Sequence, residues 1–226
     1  MTGRLTLIGL GPGAHGLRTP DATAALEAAT DLVGYGPYLD RVAVGSQVRH
    51  PSDNRVELER ARHALGLAEA GRQVAVVSSG DSGVFAMASA VFEAIEAGPA
   101  IWRALEVTVI PGISAMFAVA ARLGAPLGHD FCAISLSDNL KPWALIEDRL
   151  RLSAEAGFVI SLYNARSQAR PDRLDMAFDL LRGVLPAEIP VVFATAVTRL
   201  EEVIVVTTLG EAKGAQADMR TRVMIG

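Results

Sequence analysis

The sequence predicts an α/β protein of two α/β domains, the first with a largely parallel sheet and the second with a mixed one. Three observations carry this. Short β-branched runs alternate with longer Ala- and Leu-rich segments along the whole chain. The first apolar run, Leu5 to Leu10, breaks into the turn Gly11-Pro12-Gly13. The segment Arg122-Leu123-Gly124-Ala125-Pro126-Leu127-Gly128 interrupts the alternation and divides the chain into residues 1–123 and 124–226. In the first part strands are expected at Leu5–Leu10, Leu32–Gly34, Gln73–Ser78 and Glu106–Ile110. Helices are expected at Pro20–Ala29, Arg55–Ala70, Val84–Ala97 and Ala115–Leu123. Thr19 before Pro20 is a helix-start signal, because a threonine cap accepts from a free helix amide and proline needs no donor there. In the second part strands at Phe131–Leu136, Phe158–Tyr163, Pro190–Ala196 and Val203–Thr208 alternate with helices near Trp143–Ala156 and Arg173–Arg182. The short link Val197–Glu202 turns the last two strands into an antiparallel hairpin.

Glycines at the end of a first strand let the backbone turn sharply and approach a bound molecule. Gly9, Gly11 and Ala14 satisfy a dinucleotide fingerprint, which would make the protein a nicotinamide-dependent dehydrogenase. Two features oppose that reading. Gly13 and Gly16 postpone the helix to Thr19-Pro20-Asp21, so no helix amino terminus faces a pyrophosphate. The second strand ends in Gly34-Tyr35-Gly36-Pro37, without the acid that holds ribose hydroxyls. A loop covering another ligand and a ligand-free structural turn both stay open on the glycines alone.

At 226 residues, half of them hydrophobic, the chain can bury a substantial core. Its apolar runs are strand-sized, short of the roughly 20 residues that cross a bilayer, and its amino terminus lacks a signal-peptide pattern. A cytoplasmic location is expected, with no membrane partner. A lone cysteine, Cys132, excludes an internal disulfide, and its neighbours Phe131 and Ala133 point to a buried thiol. A net charge of -4 gives no reason to expect nucleic acid. His15, His50, His63 and His129 contain no pair at ligand spacing, so no metal site is expected.

Three more loops fall where strands end, the place where open α/β sheets bind ligands. They are Ser78-Ser79-Gly80-Asp81-Ser82-Gly83, Ile110-Pro111-Gly112-Ile113-Ser114-Ala115, and Leu162-Tyr163-Asn164-Ala165-Arg166-Ser167. The first can offer amides and a carboxylate to a polar ligand, or can merely cap the helix after it through Ser82 or Asp81.

Taken together, Gly9-Leu10-Gly11-Pro12-Gly13, Gly80-Asp81-Ser82 and Pro111-Gly112-Ile113-Ser114-Ala115 make the chain resemble the tetrapyrrole methylases over essentially its whole length. Further likeness lies in Val33-Gly34-Tyr35-Gly36-Pro37-Tyr38, Ser135-Leu136-Ser137-Asp138-Asn139-Leu140-Lys141-Pro142-Trp143 and Tyr163-Asn164-Ala165-Arg166-Ser167. These runs are closest to members that methylate C17 of a trimethylated precorrin in cobalamin biosynthesis. Ser82 and Ala165 depart from the family pattern, which has proline at both places, and the chain stops at Val223-Met224-Ile225-Gly226 where related chains continue a little.

The resemblance implies S-adenosyl-L-methionine as cofactor, a tetrapyrrole (precorrin) substrate, a homodimer, and an active-site cleft between the two domains, the tetrapyrrole methylase fold. It implies ring contraction of the macrocycle alongside methylation. Carried over by position, cofactor contacts fall on Pro12, Gly80, Asp81, Ser82, Val84, Phe85, Ser114 and Ala115, then on Tyr163, Asn164, Thr195 and Ala196. A sulfonium methyl is already activated, so the protein needs chiefly to bring a carbon nucleophile in line at about 3 to 3.5 Å. Asp81 is placed to orient the cofactor ammonium or the ring nitrogens, and His15, Asp138 and Asn139 are candidates for proton transfer during contraction.

A precorrin bears many carboxylates, so an acidic protein must collect positive charge locally. Arg18, Arg41, Arg49, Lys141, Arg166 and Arg170 lie in or near predicted loops, each alternatively a solvated surface charge. Lys141 and Arg166, with Gly11 and Gly13, are the substrate-binding candidates. Cobalt-free and cobalt-containing substrates, a dehydrogenase, and a non-catalytic tetrapyrrole-binding protein all remain as alternatives. Replacing Arg166 with Ala is expected to weaken tetrapyrrole binding, followed by absorbance titration, and to leave cofactor affinity intact; unchanged tetrapyrrole affinity would refute that role.

Overall fold

The computed structural model describes residues 3–43, 45–139 and 141–226; Leu140 of the Ser135–Trp143 run lies outside them. The chain divides into two compact units, Met1–Ser114 and Ala115–Gly226.

The first unit is built on β1 (Arg4–Gly9), β2 (Asp31–Tyr35), β3 (Val48–Ser52), β4 (Gln73–Ser78) and β5 (Glu106–Ile110). They form one sheet in the order β3-β2-β4-β1-β5, and every pair is parallel. Successive side chains of a strand point to opposite faces, and the core divides accordingly. Leu5, Leu7, Val74 and Val76 pack with α3 (Glu57–Glu69) and α4 (Met87–Ala97). Ile8, Leu10, Ala75 and Val77 pack with residues of α1 (Pro20–Ala28) and α2 (Gly36–Leu39) on the other face. The start of α1 is as expected: Thr19 Oγ1 accepts from the Ala22 amide at 3.2 Å and Pro20 occupies the first turn.

Two expectations are corrected in this unit. The helix expected from Val84 begins at Met87, because Phe85 takes a left-handed conformation, φ 51°, that cannot continue a right-handed helix. The strand β3 was not expected. It carries His50 and Pro51 and lies at the sheet edge, where proline's missing donor is tolerated.

That edge strand brings together two histidines that are distant in sequence. Asp31, 2% exposed, accepts from Arg72 Nε at 2.7 Å and from Thr30 Oγ1 at 2.6 Å, and its other oxygen meets His50 Nε2 at 2.9 Å. His50 Nδ1 in turn lies 3.0 Å from His63 Nε2 on α3. Both nitrogens of His50 are thus engaged, and no group of His, Cys, Asp and Glu able to hold a metal occurs among the described residues.

The second unit contains α5 (Ala115–Arg122), β6 (Phe131–Ser135), α6 (Trp143–Glu155), β7 (Val159–Tyr163), α7 (Arg173–Arg182), β8 (Pro190–Thr195), β9 (Val203–Thr208) and β10 (Thr221–Ile225). Its sheet runs β6-β7-β10-β8-β9. β6 and β7 are parallel, while β8 and β9 form the expected antiparallel hairpin. The unexpected strand is β10, which sits in mid-sheet, antiparallel to both β7 and β8. Its Val223 and Ile225 are buried in one core with Ile134, Ile160, Leu162, Phe178 and Phe193. Phe178 and Phe193 meet edge-on, ring centres 6.0 Å apart. Because α5 packs on β10, it belongs to this unit, and the boundary falls at Ser114–Ala115 rather than after Leu123. Cys132 is half-buried, and burial raises its thiol pKa. No described helix is long and apolar enough to cross a membrane.

Burial alone would raise the Asp31 pKa, but hydrogen bonds from Arg72, Thr30 and His50 and the charge of Arg72 outweigh it and hold the value at about 2. A depressed carboxyl pKa stabilises the fold above its unfolded value and ceases to do so as pH falls through the folded value. The shift from 3.8 to about 2 corresponds to about 2 kcal/mol. Asp31→Asn is expected to cost about 2 kcal/mol in urea unfolding at neutral pH, since a neutral amide loses the charge that Arg72, Thr30 and His50 stabilise. Its deficit against the wild type should shrink as pH is lowered from about 4 towards 2.

Candidate functional site

At the carboxyl ends of β1, β4 and β5, three loops meet backbone to backbone. Gly11 and Gly80 form an isolated antiparallel bridge in which Gly11 N donates to Gly80 O at 3.1 Å and Gly80 N donates to Gly11 O at 2.9 Å. Both are left-handed, with φ 72° and 70°, a conformation natural only to glycine. A Cβ on Gly9 would stand 2.6 Å from Gly112 N, and one on Gly112 would collide with the Gly80 carbonyl. Asp81 completes the junction: Oδ1 accepts from Gly83 N at 2.8 Å and Oδ2 from Gly112 N at 2.9 Å. It caps no helix, since α4 starts only at Met87. Its carboxylate joins the second loop to the third.

The start of α4 is met by Ser78 Oγ, which accepts from Met87 N at 3.4 Å, and by the carbonyl of Ser82, which accepts from Ala88 N at 3.0 Å. The Ser82 hydroxyl does not cap; it is fully buried, with no hydrogen-bond partner among the described residues. Phe85 follows, 46% exposed, Pro12 and Ser114 are buried, and Val84 and Gly13 are partly so. His15 is exposed on a single 3-10 turn, His15–Leu17. A shallow hollow over Arg4, Thr6, Ala25 and Thr108 reaches the strand-end loops only at Ile110.

In the second unit Asn164 ends β7 with φ 51° and an exposed side chain. Its Nδ2 donates to Ser135 Oγ at 2.9 Å, and Ser135 Oγ also accepts from Ser137 N at 3.3 Å, so the ends of β6 and β7 are tied. Tyr163 is buried, with the Arg222 guanidinium 4.1 Å above its ring centre. Thr195 Oγ1 lies 2.8 Å from Thr221 Oγ1, and Thr221 donates to Asp218 at 2.7 Å. Ala196 is left-handed, φ 48°, and Ala115 opens α5. Three of the sequence-selected residues, Phe85, Asn164 and Ala196, therefore carry strained backbone of the kind that concentrates at functional sites.

The charged candidates are more constrained than the sequence implies. Arg166 Nη1 donates to Gly214 O at 3.1 Å. Asn139 Oδ1 accepts from Arg170 Nη1 at 3.0 Å, and the same nitrogen donates to Ser137 Oγ at 2.7 Å. Asp138 Oδ2 accepts from Arg173 Nη2 at 2.6 Å. Burial would raise the Asp138 pKa, but Arg173, a backbone amide and Arg170 lower it. An ionised Asp138 can accept a proton and cannot supply one. Burial, reinforced by Arg149, lowers the Lys141 pKa. In the first unit Arg41 donates to Gly11 O at 2.9 Å and Ser79 Oγ at 2.8 Å, Arg18 donates to the Arg41 carbonyl at 3.0 Å, and Arg49 holds the carbonyls of Leu39, Val42 and Ala43. These arginines act on backbone, a use that composition does not signal. Ser79 and Ser135, which receive the loop-tying bonds, were also not singled out.

Two α/β units with glycine loops at strand ends define a class, and the family model for tetrapyrrole (corrin/porphyrin) methylases matches residues 4–213. The chain belongs to that family. It is 59% identical over its full length, and over 89% of the relative, to a Sinorhizobium protein named precorrin-3B C(17)-methyltransferase. It is 42% identical over 98% of its length, and 92% of the relative, to a probable cobalt-factor III C(17)-methyltransferase of Salmonella typhimurium. Among solved structures, the methyltransferase CobJ superposes with TM-score 0.96 at 53% identity, covering 99% of this chain and 94% of that one. A uroporphyrin-III C-methyltransferase from Thermus thermophilus, complexed with S-adenosyl homocysteine, shares the fold with TM-score 0.76 at 20% identity, covering 99% and 97%.

Gly112→Ala is expected to cost about 2 kcal/mol or more, because its Cβ meets the carbonyl of Gly80, a backbone atom that the Gly11 bridge holds in place. Thermal unfolding measures it, and a melting temperature equal to the wild type would show that the three loops are not packed as described.

Proposed function

We propose that the chain transfers the methyl group of S-adenosyl-L-methionine to C17 of precorrin-3B, with contraction of the macrocycle to precorrin-4. The observation that carries this reading is the full-length identity of 59% to a relative of that name, supported by the 0.96 superposition on CobJ. The cofactor, when bound, supplies an activated sulfonium methyl, so the protein's contribution is placement.

The residues fit that task. The glycine loops are locked against one another, since neighbouring backbone fills the space a Cβ would take at Gly9, Gly11 and Gly112, and Asp81 fixes the relation of two loops. On this reading Pro12, the stretch Gly80–Phe85, and Ser114 contact the cofactor from the first unit. Ala115, Tyr163, Asn164, Thr195 and Ala196 are the second unit's own cofactor candidates. Asp81 acts by holding its loop, and its second lone pairs remain able to meet the cofactor ammonium. Gly11, Gly13, Lys141 and Arg166 take the substrate, with Lys141 offering a cation already partly desolvated. His15 is the candidate proton donor for ring contraction and Asp138 the acceptor, while Asn139 orients through its amide. A homodimer is favoured by the edge strand β9, whose Val203, Val205 and Val206 are 55%, 42% and 63% exposed. The lone cysteine favours the cytoplasm.

The likeness to the Salmonella relative makes the cobalt-containing substrate the second reading. Incubation with labelled methyl donor and either substrate is expected to give a methylated, ring-contracted product by mass spectrometry from the cobalt-free compound. Product from the cobalt compound alone would exchange the two readings, and product from neither would overturn both. Asn164→Ala should weaken S-adenosylhomocysteine binding about tenfold in calorimetry, or about 1.4 kcal/mol.

A further inference from the structure

We infer that Arg41, which lies outside every glycine motif, is the positioning residue of the methyl-donor loops; this rests on the proposed function. Arg41 follows α2, and its planar guanidinium reaches two loops at once. Nη2 donates to Gly11 O at 2.9 Å in the first loop, and Nη1 donates to Ser79 Oγ at 2.8 Å in the second. The Gly11 carbonyl is therefore held twice, by Arg41 and by the Gly80 amide at 2.9 Å.

The double hold matters because Gly11, with φ 72° and no Cβ, has peptide planes that rotate more readily than those of a residue with a side chain. A carbonyl bonded from one side can swing, whereas one fixed by a charged fork and an opposing amide cannot. Arg41 is itself anchored: its amide donates to Tyr38 O at 3.2 Å, and its carbonyl accepts from Arg18 Nη2 at 3.0 Å. The path thus runs Arg18 to Arg41 to both loops. Ser79 and Gly80 precede Asp81, whose carboxylate passes the constraint to Gly112 at 2.9 Å. One guanidinium consequently sets the relative register of all three loops. Lysine could not replace it, because a point donor satisfies one of the two acceptors at a time.

The test is calorimetric titration of S-adenosylhomocysteine into the wild type, Arg41→Ala, Arg41→Lys and Ser79→Ala, with the melting temperature of each ligand-free chain. Arg41→Ala is expected to weaken binding about tenfold or more and Ser79→Ala by a smaller factor, with Arg41→Lys between the wild type and Ala. Guanidinium ion at low millimolar concentration should restore part of the affinity of Arg41→Ala, which a merely structural loss would not permit. The Arg41→Ala/Ser79→Ala double variant should lose less than the product of the single losses, since both remove one bond. Folded Arg41→Ala that binds within twofold of the wild type overturns the inference. If that variant fails to fold, Ser79→Ala and Arg41→Lys both binding like the wild type overturn it equally. A wild-type chain that does not bind S-adenosylhomocysteine overturns the proposed function, and this inference with it.

Discussion

The first unit depends on the close approach of three backbone segments at Gly9, Gly80 and Gly112. No side chain larger than hydrogen fits at Gly9 or Gly112, and Gly80 is left-handed, so these glycines are a steric requirement at two places and a conformational one at the third. The Gly11–Gly80 bridge extends pairing beyond the ends of β1 and β4, and Asp81 adds a bond from the second loop to the third. Contact between loops rather than a helix amino terminus organises this end of the sheet. A glycine-rich turn after a first strand can therefore serve a ligand quite unlike a dinucleotide.

The arginines show how an acidic protein uses cations in its interior edges. Arg18, Arg41 and Arg49 donate to carbonyls of neighbouring turns, and buried Arg60 reaches Ser52 Oγ at 2.6 Å and the Asp53 carbonyl at 2.5 Å. A carbonyl left unmet in a turn is costly, and a guanidinium with five donors can satisfy several at once. Arg60 carries the electrostatic cost of this arrangement, since burial lowers its pKa despite the nearby charge of Glu57.

Much of the fold could be read from the sequence because hydrophobic periodicity was strong where burial was strong. The interior strands β1, β4, β7 and β8 and the helix α7 fall where their apolar patterns place them. The two missed strands fail for opposite reasons. Val48–Ser52 is a polar edge with an internal proline, so it lacks a strand signature. Thr221–Ile225 is apolar enough, but its five residues follow a tract of short turns without a preceding helix, and nothing local says that it enters mid-sheet. The loop motifs were legible because backbone geometry demands glycine. The partners of Asp81, Arg41 and Arg166 were not, because they join residues far apart in the chain.

The place of β10 in its sheet has a consequence for the order in which the chain acquires structure. All five strands of the first sheet lie between Arg4 and Ile110, so that sheet can close while later residues are still being made. The second cannot: β6 and β7 on one side and β8 and β9 on the other are joined only through Thr221–Ile225. During synthesis they persist as two fragments with open interior edges, the state in which unpaired strands most readily pair with the wrong chain. A chain interrupted before Thr221 would carry a finished first unit and a divided second one.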